Sequence, residues 1–277
     1  PLANRLGLYK IKTELENMLA NDREKYEAFF KNFGLQLKYG MYADYGAHKD
    51  TLKDLVLFAS SNGEHPTTLA EYVSRMKEDQ KAIYYACGES AARIALLPQA
   101  EAVRDKGYEI LYLTDNVDEF ALKMLMQYDE KPFQNVSADD LDLRSEEEKK
   151  DAEKQAADNK DLLNFLTEAL DGKVKAVILS NRLKSHPVCL SSEGAISLEM
   201  EKVLNAMPSG DKVQAQRVLE LNAAHPVFQK LTKLFAEDKD TLKEYAALLY
   251  DQALLIEGIP VEDPVAFSNR ICTLMAE

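Results

Sequence analysis

Residues Gln80 to Tyr128 read QKAIYYACGESAARIALLPQAEAVRDKGYEILYLTDNVDEFALKMLMQY, and this stretch decides the fold. Ala82 to Ala86 is a short apolar and aromatic run, the composition of a buried strand, and it ends on Cys87-Gly88-Glu89-Ser90. Ser90 stands where a helix N-cap would, ahead of Ala91, Ile94 and Ala95. Lys106-Gly107 then turns the chain into a second apolar run, Ile110 to Leu113. Two apolar strands joined through a helix predict a βαβ unit, with parallel strands and the helix packed across them. Beyond the second strand, Thr114 or Asp115 can cap another helix, starting near Asp118 and carrying Phe120, Leu122, Leu125 and Met126.

Upstream, Leu15, Met18, Leu19, Tyr26, Phe29, Phe30 and Phe33 keep a helical spacing broken near Asn21-Asp22 and at Gly34, which predicts a helical connector over residues 11–40. A further helix is expected from Thr51 to Ser60, carrying Leu52, Leu55, Val56 and Phe58, with Ser61 to Pro66 as a loop. Thr68 and Glu71 then stand in capping-box spacing at the start of a helix from Leu69 to Met76.

Downstream, residues 138–160 shift to Asp, Glu, Lys and Ala, with almost no large apolar side chain before Leu162, and this marks a domain boundary. The segment reads as a solvated linker helix laced by pairs such as Asp151 with Gln155 and Glu146 with Lys150, or else as an acidic docking site for a basic partner. The second domain opens with a helix through Leu162, Phe165, Leu166 and Leu170, followed by strands at Val174 to Ser180 and Pro187 to Leu190. A helix from about Ile196 to Met207 carries Ile196, Met200, Val203, Leu204 and Met207 on one stripe, and Pro208 and Gly210 stop it. Further helices are expected at about Val213 to Leu219 and Pro226 to Phe235.

The chain closes on a helix pair. Thr241 and Glu244 stand in capping-box spacing, and Leu242, Tyr245, Leu249, Ala253 and Ile256 form a stripe that ends at Gly258-Ile259-Pro260. Asp263 caps a last helix with Pro264 at its first position, striped by Phe267, Ile271 and Leu274. Such a pair can bury its apolar surface against a second copy in a two-fold four-helix bundle, or pack back on its own domain.

The 277 residues include 47 acidic and 34 basic side chains, a net charge of −13 that repels phosphate backbones. Nucleic acid is therefore not an expected partner. Cys87, Cys189 and Cys272 lie far apart and form no CxxC pair, which suits a reducing compartment. No apolar run approaches the roughly 20 residues needed to span a bilayer and no signal-peptide pattern opens the chain, so no membrane partner is expected and the cytoplasm is the expected compartment. The sequence contains no GxxxxGK[ST], HExxH, GxSxG or GxGxxG, and His48, His65, His186 and His225 stand isolated, so no metal or catalytic group is assigned. Gly88-Glu89-Ser90 is the one turn where a phosphate could meet a helix N-terminus, and a nucleotide- or small-molecule-binding α/β module is the alternative this leaves open.

Glu71-Tyr72-Val73-Ser74-Arg75-Met76-Lys77, Gln80-Lys81, Ile83-Tyr84-Tyr85, Gly88-Glu89-Ser90 and Asp118-Glu119-Phe120, in this order, resemble the Hsp90 chaperones in their bacterial form. The resemblance runs from about Thr13 to the end, whereas PLANRLGLYK departs from the family pattern and Arg5 lacks the family's arginine-loop context. It implies an α/β (overall α+β) chain: residues 1–144 as the end of the middle domain, a helical connector with a small αβα sandwich, and residues 145–277 as a mixed α/β C-terminal dimerisation domain. The family's ATP, with its magnesium, is bound by an N-terminal domain upstream, so a piece of this extent is expected to hold no cofactor and to have no ATPase of its own. Family function is folding assistance under stress, with partly folded client proteins, a second copy and co-chaperones as partners. The resemblance also assigns client contact to Glu119, Phe120, Ile196, Met200, Val203 and Leu204, facing a dimer cleft, and makes the closing helix pair the dimer seam.

Overall fold

The computed structural model describes the backbone of residues 2–208 and 212–276, with side chains from residue 10 onward; Pro1, Gly210 and the side chain of Arg5 lie outside the described residues. In chain order it forms α1 (Leu2–Asn21), α2 (Arg23–Gly46), α3 (Lys49–Leu52), β1 (Phe58–Ser60), β2 (Gly63–Thr67), α4 (Leu69–Ser74), β3 (Ile83–Cys87) and α5 (Ala91–Ile94). A 3₁₀ turn at Pro98–Ala100 and α6 (Glu101–Asp105) lead to β4 (Ile110–Leu113), α7 (Asp118–Leu125), β5 (Gln127–Tyr128) and β6 (Lys131–Asn135). Then come α8 (Glu146–Asp158), α9 (Lys160–Ala169), β7 (Ala176–Leu179), β8 (Val188–Glu193), α10 (Leu198–Ala206), β9 (Gln216–Leu221), α11 (Pro226–Glu237), α12 (Lys239–Ile256) and α13 (Pro264–Met275). The chain is thus mixed α and β, as expected, and it gathers into two compact units: Pro1–Ile94 with Tyr108–Gln134, and Ala95–Gly107 with Asn135–Glu277.

In the first unit the six strands run in the order β2-β1-β4-β3-β6-β5. β3 and β4 are parallel, from Tyr84 opposite Ile110 to Cys87 opposite Leu113, so the quoted stretch does form the expected crossover. The crossover is not one helix: α5 ends after four residues, and Leu97-Pro98, extended and without a free N–H, restarts the chain as the 3₁₀ turn.

Three other expectations fail here. Gly34 does not break α2; a Cβ there would sit 2.4 Å from the Phe30 ring, so the glycine makes room inside a continuous helix. The helical path is lost later, at Ala43-Asp44-Tyr45, where Asp44 and Tyr45 take φ of 51° and 55°. Residues 51–60 are not one helix: α3 ends at Leu52, Leu55 to Leu57 are buried in a turn and non-helical chain, and β1 begins only at Phe58 and pairs antiparallel with β4 through Ala59 and Ser60. Most of the expected loop after it is a hairpin arm, β2, reached through a two-residue turn at Ser61-Asn62 that sets Gly63 opposite Ser60. The Thr68–Glu71 capping box is present in full, with the Glu71 amide donating to Thr68 Oγ1 (3.1 Å) and the Thr68 amide to Glu71 Oε2 (2.8 Å).

In the second unit β9 is the centre of a three-stranded sheet, parallel to β7 and antiparallel to β8. The helix expected at Val213 to Leu219 is therefore a strand. Its buried Glu220 disguises the apolar run, and burial is made possible by Arg182, which lies 3.0 Å away with both side chains about 1% exposed. Arg182 also donates to the carbonyls of Val136 (2.6 Å) and Ala138 (2.9 Å), and Glu220 accepts from Ser180 Oγ (2.7 Å), which offsets part of the cost of burying the charge pair. α8 buries none of its residues, as expected of a solvated helix. Its start is fixed by a Ser145–Glu148 capping box, and Glu146 pairs with Lys149 (2.9 Å). α10 ends before Pro208.

Candidate functional site

α7 carries the Asp118-Glu119-Phe120 triplet, and a buried lysine on α2 fixes it. Lys38 Nζ lies 2.8 Å from Asp118 and 2.9 Å from Asp115, with the Phe58 ring 4.7 Å below it. Asp118 Oδ2 also accepts the Asp115 amide (3.1 Å), which closes the turn into α7. Burial pushes the Asp118 carboxyl above its ordinary value, against the pull of Lys38. Glu119 is only 2% exposed, accepts from Tyr85 Oη (3.1 Å) and lies 3.8 Å from Lys123. Its carboxylate thus faces inward, whereas Phe120 is half-buried and meets the Tyr42 ring edge-on at 5.6 Å.

The α10 stripe divides. Ser197 caps the helix by accepting the Met200 amide (3.0 Å). Val203 is buried and Ile196 packs on the second unit's core, while Met200 and Leu204 stay half-exposed and Met207, past the helix end, is 51% exposed. Glu201, on the inner side, pairs with Arg217 of β9 (2.5 Å).

The closing pair also divides. α12 is capped by Asp238, whose carboxylate accepts the Asp240 (3.2 Å) and Thr241 (3.1 Å) amides, so the Thr241–Glu244 box is not formed: Thr241 already lies inside the helix. Leu242, Leu249 and Ala253 are buried in the unit's own core with Leu162, Leu190 and Leu231, and Tyr245 packs on that core. Ile256 is half-buried. α13 starts as expected, Asp263 accepting the Val265 (3.0 Å) and Ala266 (2.9 Å) amides with Pro264 at the first turn, but none of its residues is buried. Phe267, Ile271 and Leu274 are half-exposed, and Val265 and Met275 are 70% and 80% exposed. Arg270, unmarked in the sequence, ties α13 to α12 through Glu244 and Asp251, each at 2.9 Å.

The Gly88 turn offers no phosphate cradle. The Gly88 amide is spent on Leu113 O (3.1 Å), α5 is a single turn, and a Cβ at Gly88 would meet Ile94 at 2.9 Å, so packing explains the glycine. No cluster of three or more metal-ligating side chains exists among the described residues. Three histidines are less isolated than their sequence settings imply: His186 Nδ1 lies 2.8 Å from Glu101, His65 Nδ1 lies 3.5 Å from Glu27, and His225 caps α11 by accepting the Val227 amide (3.2 Å). Glu101 also accepts the Lys184 (2.5 Å) and Ser185 (3.1 Å) amides; these bonds, with Ser185 Oγ, overcome burial and hold its carboxyl down at about 2. No described helix is long and apolar enough to cross a membrane.

A model of the family described as Hsp90 protein matches residues 7–277, and the chain belongs to that family. Among its relatives, the chaperone protein HtpG of Clostridium acetobutylicum is 58% identical over 266 residues, covering 96% of this chain and 42% of the relative. The chaperone protein HtpG of Bacillus subtilis is 55% identical over the same length and shares, and that of Halalkalibacterium halodurans 58% over 267 residues, 43% of its length. The chain therefore spans about two fifths of the curated relatives it matches.

Proposed function

We propose that this chain is the client-holding and self-associating portion of an Hsp90-type chaperone of the bacterial cytoplasm. The observation that carries the reading is α13, a well-capped helix whose apolar stripe is only partly covered within its own unit. An apolar helix face left open at this scale is an association surface, and a second copy supplying its own α12 and α13 covers it with two-fold symmetry. Client chains are held by the surfaces that stay open on Phe120 and on Met200 and Leu204, where unbranched methionine repacks against differing partners. Glu119 and Val203 support these positions from beneath, since both are buried. We assign residues 1–144 to the end of the middle domain and 145–277 to the dimerisation domain, with capped, solvated α8 opening the latter. The ATPase of the intact protein is assigned to parts outside these residues, and co-chaperones are further partners.

The test is sedimentation and light scattering on the purified chain, alone and with a permanently unfolded polypeptide. A dimer that becomes monomeric in Ile271→Glu and Val265→Glu, and that loses about tenfold in affinity for the polypeptide in Phe120→Ala or in Met200→Ser with Leu204→Ser, is expected. A monomeric wild-type chain, or variants that remain dimeric, would overturn the seam; unchanged affinity would overturn the client assignment.

A further inference from the structure

Tyrosine crowds the outer face of α2. Leu35, Tyr39 and Tyr42 follow one another at four and three residues, one side of a helix, and are 53%, 59% and 40% exposed. The rings form a chain: Tyr39 meets Tyr42 edge-on at 6.5 Å, and Tyr42 meets Phe120 at 5.6 Å. Tyr45, where the helical path is lost, is fully open to solvent. A helix that needed only solubility would carry Lys and Glu here, yet residues 33–47 hold just two charged side chains. One of them, Lys38, is buried beneath α7, and the other is the exposed acid Asp44. Asp115, which pairs with Lys38, is a further partly exposed carboxylate. Within residues 33–47 the exposed side chains are thus largely aromatic, with one acid, and the single positive charge is turned inward.

Resting on the client-holding reading above, we propose that Tyr39, Tyr42 and Leu35 extend the Phe120 surface into a second half of the client site. Its occupant is an unfolded polypeptide segment carrying arginine or lysine among aliphatic and aromatic side chains. Charge complementarity selects this occupant. Guanidinium and ammonium groups stack on tyrosine faces, and a chain of net charge −13 attracts basic segments while it repels nucleic acid. Tyrosine provides large contact area with few rotors to immobilise, which suits a surface that takes many sequences.

The experiment uses two labelled 20-residue peptides, identical in Leu, Phe, Gly and Ser positions, one with arginine and the other with glutamate at the charged positions. Wild-type chain is expected to bind the arginine peptide at least tenfold more tightly, and Tyr39→Ala with Tyr42→Ala to lose at least tenfold of that affinity. Tyr39→Phe with Tyr42→Phe keeps the rings and should keep the affinity, and the alanine variant should melt with the wild type because the rings are exposed. A double alanine variant that binds the arginine peptide as wild type does, while Phe120→Ala loses it, overturns this extension and leaves the client reading intact. Equal binding of both peptides overturns the charge selection. An alanine variant that changes only the sedimentation coefficient makes the face a self-association surface instead. Wild-type chain that binds neither peptide nor any unfolded protein removes the client reading itself.

Discussion

α12 and α13 are alike in sequence and opposite in situation. Each is capped by an aspartate that accepts two backbone amides, and each carries a three-and-four apolar stripe. Yet α12 lies among α9, α11 and β8 with Leu242, Leu249 and Ala253 buried, while α13 packs on α12 and buries none of its residues. Helical spacing reports that a face is apolar; it does not report what covers that face. The stripe of α12 is satisfied within one chain, and only that of α13 is left to seek a partner.

Substitutions can sharpen this contrast. Leu249→Ala should cost about 2–5 kcal/mol of unfolding free energy in denaturant titration, the range for truncating a buried leucine. Val265→Ala on α13 should stay within about 0.5 kcal/mol, and equal losses at the two positions would erase the distinction. Removing the caps separates them again. Asp238→Ala should lower stability by about 0.5–2 kcal/mol, whereas Asp263→Ala should register as a weaker dimer in sedimentation equilibrium. A pH arm comes from Glu257, at the end of α12, whose carboxylate accepts from the Gln99 side chain. Burial pushes this carboxyl up to about 7, against Lys202 and the Gln99 hydrogen bond. The folded chain then binds the proton more tightly than the unfolded one, so this group's contribution is greatest below about 4.5 and is lost as pH rises through 7. Glu257→Gln should flatten that slope in thermal melts recorded from pH 4 to 8. Smallest of all is the effect of ATP. No shift of melting temperature is expected, whereas ligand at one hundred times its dissociation constant would add about 2.7 kcal/mol.

The parallel β3–β4 pair, the Thr68–Glu71 box and the Asp263-Pro264 start were legible because each depends on residues close in sequence. What was misread depends on distant partners. Val213 to Leu219 was expected to be a helix, and nothing local shows that Arg182 neutralises the Glu220 that follows inside the strand. Leu55 to Phe58 fit a helical stripe, but they are a buried turn and non-helical chain leading into β1, whose place is set by β4. Gly34 has the look of a stop, but its role is set by the ring of Phe30. Of the candidate site, Phe120 was found through its motif. Tyr42 escaped because an exposed tyrosine on a long helix carries no local signal, and its contact with Phe120 spans 78 positions of chain.

The segment Ala95–Gly107 has a consequence for dissecting the molecule. It leaves β3 and returns to β4, both in the first unit, but groups with the second, where Gln99 donates to Leu190 O (2.8 Å) and Glu101 holds the Lys184 and Ser185 amides. The polypeptide therefore passes between units three times, after Ile94, Gly107 and Gln134. A single protease cut cannot release an intact half. A recombinant piece beginning at Asn135 would leave the Leu190 carbonyl and the Lys184 and Ser185 amides without these partners, at a cost of about 1–3 kcal/mol for each group that stays buried. Supplying residues 95–107 as a separate peptide should restore part of that loss.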